Sequence, residues 1–161
     1  MASNFITKQE VIDLAFEKAD LRTAYIKDAS IEVAELKYIR PAVTEPLFNR
    51  LNQEDSSLSE DEVALKSHLK KALAYFIGYL IIPGISVQIT NKGAQLPSSM
   101  HSNTATDKQR GELRENFLAM GNAYKDEAVK FIEDNPESFK DYYEHYQSSN
   151  NRVKVKHGII F

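Results

Sequence analysis

The stretch Ser59–Pro83, SEDEVALKSHLKKALAYFIGYLIIP, constrains this chain more than any other. In its first half Val63, Leu65, Leu69, Ala72 and Phe76 recur at helical spacing, with Glu60, Asp61, Glu62, Lys66, Lys70 and Lys71 between them. That is the pattern of an amphipathic helix. From Ala72 to Ile82 no side chain is charged, and a helix apolar on every side has to be buried on every side. Ser59 and Glu62 make a capping box, and the acidic first turn suits the positive end of the helix dipole. Pro83-Gly84 is expected to end the helix. Eleven uncharged residues fall short of the roughly 20 that a bilayer span needs. The segment therefore reads as the central helix of a helical domain, with no membrane role.

Composition sets the outer limits. With 161 residues, 42% of them hydrophobic, the chain suits one domain with one real core. A net charge of −3 gives no global attraction to nucleic acid or acidic lipid. The sequence contains no cysteine, which excludes disulfides, thiolate metal sites and a cysteine nucleophile. MASNFITKQEVIDLAF has neither a basic n-region nor a continuous apolar h-region, so no signal peptide is expected and the cytoplasm is the expected place of synthesis and assembly.

Before the central helix the expected elements are short. Asn4-Phe5-Ile6 is extended. Thr7 with Glu10 forms a capping box, Ile6 can staple onto Val11, and the helix so started should end near Asp20. Asp28 is the expected N-cap of a second helix with Ile31, Ala34 and Tyr38 on one face, stopping at Arg40 because Pro41 disfavours helix in the residue before it. Thr44 is expected to cap a third, with Pro46 in its first turn and Leu47, Phe48 and Leu51 buried. Residues 52–58 read as a polar loop.

After Pro83 the period drops from 3.6 to 2. Ile85, Val87 and Ile89 alternate with polar residues, Asn91-Lys92-Gly93 is a turn signal, and Ala94–Leu96 can return as a second strand, stopped by Pro97. A lone hairpin is marginally stable and needs support from helices or another chain. Thr106 with Gln109 then caps a second long helix whose stripe is Leu113, Phe117, Met120, Tyr124, Ala128, Phe131 and Ile132. Gly121 lies beside that stripe, where it allows a close helix crossing. Asp134-Asn135-Pro136 ends it, and Phe139, Tyr142, Tyr143 and Tyr146 form a short aromatic helix. The expected fold is mainly α: a bundle of two long and three to four short helices over residues 1–146, a small β-hairpin at about 85–96, and an extended arm at 147–161.

No residue pattern makes a strong catalytic motif. His68, His101, His145 and His157 show no metal-ligand spacing and no acidic partner by motif. Glu60-Asp61-Glu62 and Asp126-Glu127 read as a helix first turn and a solvated face rather than as acid–base pairs. The serine pairs lack a nucleophile elbow, and the glycines are too scattered for a phosphate loop. Tyr142, Tyr143 and Tyr146 could stack on bases, but their helical spacing beside Phe139 favours packing. No cofactor, metal site or catalytic residue is expected.

The segment Arg152–Phe161, RVKVKHGIIF, is harder to explain within one chain. Val153 and Val155 alternate with cations, and Ile159, Ile160 and Phe161 follow. An alternating strand seeks a sheet edge. Its own hairpin and the hairpin of a neighbouring subunit both fit that need. Phe5 and Ile6 pose the same question.

The order ITKQEVIDLAF, IEVAELKYIRPAV, EPLFNRL, a long helix, a strand with Gly93, and a long helix containing ENFLAMGNAY resembles small helical head–tail connector (adaptor or head-completion) proteins of tailed phages and prophages of Bacteroidetes-type hosts. The resemblance covers about residues 5–146. It implies a non-enzymatic virion protein that forms a ring, typically of twelve, at the head–tail junction. Its partners would be the portal and the tail or a second adaptor, with DNA passing through unbound. Phe5, Ile6, Val87, Ile89, Asn91, Lys92, Gly93, Val153, Val155, Ile159, Ile160 and Phe161 would be the contact residues. Other virion roles, such as tail completion, fit the same pattern. A nucleic-acid binder using Arg152, Lys154, Lys156 and the tyrosines is a more distant reading.

Overall fold

A computed structural model describes residues 5–16, 22–86, 88–90, 93–95, 107–140 and 142–143, with residues 85, 86, 88–90 and 93–95 described through their backbone alone. The fold is mainly helical. Its axis is α5 (Glu60–Ser86), against which α6 (Asp107–Asp134) packs. The two run antiparallel: Gly78 meets Phe117, Phe76 meets Gly121, Tyr75 stacks on Tyr124, and Asp61 accepts a hydrogen bond from Ser138 beyond the end of α6.

The α5–α6 contact is an exchange of rings for glycines. A Cβ on Gly121 would lie 2.8 Å from the Phe76 ring, and one on Gly78 would lie 2.3 Å from the Phe117 ring. Each helix thus offers a phenylalanine to the other's glycine, and both rings are buried. Gly121 serves the close crossing expected of it; Gly78 does so unannounced. Among the described residues, nothing beyond its own stretch of helix comes within 4 Å of a Cβ on Gly111.

α5 starts as its sequence dictates. Ser59 N–H donates to Glu62 Oε2 at 2.7 Å, and Glu62 N–H donates back to Ser59 Oγ at 3.3 Å. Leu65, Leu69, Ala72, Leu73, Phe76 and Ile77 are all fully buried, while Val63 is 39% exposed and stands outside the stripe. Pro83-Gly84 does not end the helix, which continues to Ser86 with Pro83 inside it. Pro83 removes the one rung that would reach Tyr79. That loss falls in the last turn, where carbonyl partners are already running out. Residue 85 is therefore helical, and the paired strands are Gln88–Thr90 and Gly93–Gln95, antiparallel with Ile89 opposite Ala94.

Shorter helices form a collar around α5. α1 (Lys8–Ala15) carries the Thr7/Glu10 capping box and stops at Phe16, earlier than the pattern predicts. α2 (Asp28–Ala34) is preceded by Lys27 rather than capped by Asp28, whose carboxylate instead pairs with Lys8 at 2.9 Å. The helix does not stop at Arg40. It passes through a π-turn, Glu35–Ile39, into α3 (Arg40–Val43), so residues 28–43 are one helical rod. The π register places Pro41 in the first turn of a renewed helix, where a missing N–H costs little. α4 (Glu45–Leu51) follows Thr44, which gives no side-chain cap. Leu47, Phe48 and Leu51 are buried as expected. A 3-10 turn, Asp55–Ser57, leads to α5.

In α6, Phe117, Ala128 and Ile132 are buried, but Leu113, one turn before Phe117, is 48% exposed. Asn135 closes the helix, its Nδ2 donating to the Phe131 carbonyl at 2.8 Å. A turn at 136–139 follows, then helical residues 140, 142 and 143, with Phe139 and Tyr142 buried. Among the described residues no helix is long and apolar enough to cross a membrane.

Candidate functional site

The twelve residues expected to make contacts with neighbours fall into three sets. Phe5 and Ile6 correct the sequence reading: they are 0% and 2% exposed, and Phe5 stacks on Phe48 with ring centres 5.2 Å apart. The extended segment ahead of the Thr7 cap is drawn into the chain's own core, because Phe5 and Ile6 each gain more from burial there than from hanging free. They are not arms. Ile89 and Gly93 lie on the paired strands. Val87, Asn91, Lys92, Val153, Val155, Ile159, Ile160 and Phe161 lie outside the described residues, as do His101, His145, His157 and Tyr146.

Where α1, the 52–58 connection and α5 converge, the surface holds a cavity of about 310 Å³ lined by Glu10, Asp13, Leu14, Asp55, Val63, Lys66, Ser67 and Lys70. Four of its five charges are paired within the chain, and Asp13 Oδ1 accepts from Gln9 Nε2 at 2.8 Å. Lys66 Nζ donates to Asp55 Oδ1 at 2.7 Å and to the Gln53 carbonyl at 3.0 Å, with 6% of its side chain exposed. Lys70 Nζ donates to Glu10 Oε1 at 2.7 Å. The Lys66 ammonium holds the Asp55 carboxyl below its ordinary value. Burial pushes Glu10 upward, but Lys70 and the Thr7 amide and hydroxyl outweigh it, and its pKa is lowered.

A second cavity, of about 270 Å³, lies between α4, the start of α5 and residues 137–142, with Arg50 and Glu62 in its wall. Arg50 Nε donates to Glu62 Oε1 at 2.8 Å. That bond lowers the Glu62 pKa against the opposing effect of burial, and the Ser59 amide lowers it further. Glu62 is thus both the capping carboxylate of α5 and the strap that ties α4 to it.

These three ion pairs span 12, 11 and 60 positions, and no local pattern marks them. The same holds for His68. The sequence shows no acidic neighbour for it, yet α6 brings Glu127 Oε1 to 3.7 Å from Nδ1, too far for a hydrogen bond, and Phe131 against the ring at 5.4 Å. Among the described residues no three His, Cys, Asp or Glu side chains are grouped to hold a metal ion. Tyr142 is buried and Tyr143 donates from its hydroxyl to the Ile132 carbonyl at 3.3 Å, so these two rings are committed to packing.

Chemically, this surface presents neutralised lysine–carboxylate and arginine–carboxylate pairs around shallow hollows. It can fasten helices to one another and it can meet another polar surface.

No curated protein sequence and no solved structure matches the chain. Residues 39–154, which take in α4, α5 and α6, match DUF6712, a family of unknown function, and the chain belongs to that family.

Proposed function

We propose that this chain is a non-enzymatic structural subunit of a tailed-phage or prophage virion, assembled as a homo-oligomeric ring at the head–tail junction. In this reading the layout is two long and three to four short helices with a hairpin at about 85–96 and an arm at 147–161. The long helices give each subunit its stiffness. The hairpin, with Val87, Ile89, Asn91, Lys92 and Gly93, and the arm, with Val153, Val155, Ile159, Ile160 and Phe161, make the joints by strand addition to a neighbour. Twelve subunits is the number that the resemblance to connector proteins implies, with the portal on one side and the tail or a second adaptor on the other. A net charge of −3 suits a conduit that lets DNA slide, since lysine and arginine contacts to phosphate would hold it.

The observation that carries this reading is how the described core closes on itself. In the uncharged half of α5, Ala72, Leu73, Phe76, Ile77, Ile81 and Ile82 are buried in the chain's own core, with Tyr75, Tyr79 and Leu80 half-buried, and two ring-for-glycine contacts lock α6 to it. The lysines and the arginine at its surface hollows are each bonded to a carboxylate of the same chain. Such a body supports a building-block role, with specificity left to appended segments. Another virion assembly role, such as tail completion, uses the same physics. The commitment of Tyr142 and Tyr143 to packing weighs against a base-stacking nucleic-acid binder.

Electron microscopy of the purified protein, alone and mixed with portal, tests the reading. Rings that cap the portal are expected. A monomer that binds neither portal nor tail components would contradict it.

A further inference from the structure

Between the rod at 28–43 and α4 the chain turns on Thr44, which has the one positive φ among the described non-glycine residues (φ 69°, ψ 151°). That region of backbone space belongs almost wholly to glycine, and for a β-branched residue it is a strained outlier. The hydroxyl does not compensate: Thr44 Oγ1 is buried without a hydrogen-bond partner. Two neighbours share the tension. Arg40 is helical directly before Pro41 (φ −55°, ψ −42°), and Glu45 is helical directly before Pro46, although a proline ring disfavours that conformation in the residue ahead of it.

A clamp holds this corner shut. Arg40 Nη1 donates to Glu45 Oε1 at 2.8 Å, and the Arg40 guanidinium lies 4.7 Å from the centre of the Phe48 ring. On its far side α4 is tied by Arg50 to Glu62, and the chain after it is pinned where Lys66 reaches Gln53 and Asp55. α4 is therefore a seven-residue segment with a strained corner before it, a pinned point behind it, and ion pairs across both boundaries.

We infer that α4 is a spring-loaded flap hinged at Thr44. The strained corner works against the Arg40–Glu45 clamp and the burial of α4, so loss of the clamp makes the transient lifting of α4 as a unit, which bares Leu47, Phe48 and Leu51, more frequent. The device belongs to the fold of the single chain and stands whether or not the chain forms a ring.

Two variants of the full chain test it from opposite directions, read by thermal melting and by amide exchange with mass spectrometry. Thr44→Gly removes the tension and leaves the clamp. Its Tm is expected to rise by about 2–4 °C, and exchange of the amides from Phe48 to Asn52 is expected to slow about tenfold. Arg40→Gln opens the clamp and leaves the corner. Exchange from Phe48 to Asn52 is then expected to quicken about tenfold, with α5 between Leu65 and Ile77 unchanged. An unchanged or lowered Tm for Thr44→Gly would show the corner to be unstrained. Exchange in Arg40→Gln that does not quicken at α4, or that quickens equally in α5, would show that α4 does not open by itself. Either result overturns the inference.

Discussion

The α5–α6 pair and the collar of short helices are held by different means. α5 and α6 are joined by shape: Phe76 fills the space over Gly121, Phe117 the space over Gly78, and Tyr75 stacks on Tyr124 at 5.5 Å. The collar shares the same apolar core, through Phe5, Ile39, Phe48 and the Tyr38 stack on Phe76, and adds charge and unusual backbone to it. Lys70–Glu10, Lys66–Asp55 and Arg50–Glu62 fasten it to the rest, and a π-turn, two prolines and a glycine-like Thr44 bend it around α5. Close-packed rings resist any change of volume and carry no charge to titrate. Ion pairs respond to pH and salt. One chain thus combines a stiff axis with a casing that solvent conditions can loosen.

Removing a ring from the axis should have the largest effect. Phe76→Ala empties the space over Gly121 and also removes the partner of Tyr38, which stacks on Phe76 at 4.2 Å. Urea denaturation is expected to show a loss of about 3–5 kcal/mol. A loss near zero would mean that the helices do not depend on shape. Filling the other side of the same contact comes next. Gly121→Ala sets a Cβ against the Phe76 ring and should destabilise by about 1–3 kcal/mol.

The collar should answer to acid. Glu10, Asp55 and Glu62 all have lowered pKa values in the folded state. The unfolded chain therefore binds more protons in the acid range, and the stability these groups supply is full above their ordinary values of 4.5, 3.8 and 4.5. It is lost as pH falls through the lower folded values. Melting followed downward from neutral pH should show Tm falling in that range. Glu62→Gln, which keeps the shape but weakens both the α5 cap and the Arg50 tie, should start about 1–2 kcal/mol less stable and fall less steeply. Equal slopes for the two proteins would remove Glu62 from the account.

Smallest, and opposite in sign, is Gly111→Ala. It lies on the same helix as Gly121 but faces open space among the described residues, so alanine should stabilise by up to about 1 kcal/mol. Thermal melts of the two alanine variants side by side sharpen the contrast; shifts of the same sign would break it.

What could be read from the residues follows the same division. Most of the axis was legible because its signals are local: the Ser59/Glu62 box, the uncharged run from Ala72, the placement of Gly121 beside an apolar stripe; its ends were not, since α5 runs on past Pro83 and Leu113 is exposed. Gly78 was not marked, because nothing in the sequence shows that Phe117 would arrive over it. In the collar, local rules misled. Pro41 was expected to end a helix, yet a π-turn carried the helix past it. Asp28 looked like a cap and became an ion-pair partner of Lys8. Glu62 looked like a first-turn acid and also holds Arg50 across 12 positions. Phe5 and Ile6 looked like a free arm because an extended stretch reads the same whether it leaves the body or enters it. Only the three-dimensional count of apolar neighbours separates the two cases.

With Phe5 and Ile6 buried in the core, the joints we propose are the hairpin and the segment Arg152–Phe161. The solution mass of the full chain beside a chain ending at Asn151, measured by mass photometry with circular dichroism of both, tests that most directly. The account predicts ring-sized particles for the full chain, and smaller species of nearly unchanged helix content for the shortened one. Loss of helix on shortening, or assembly that survives it unchanged, would contradict the claim that a self-contained helical body is joined to its neighbours through that segment.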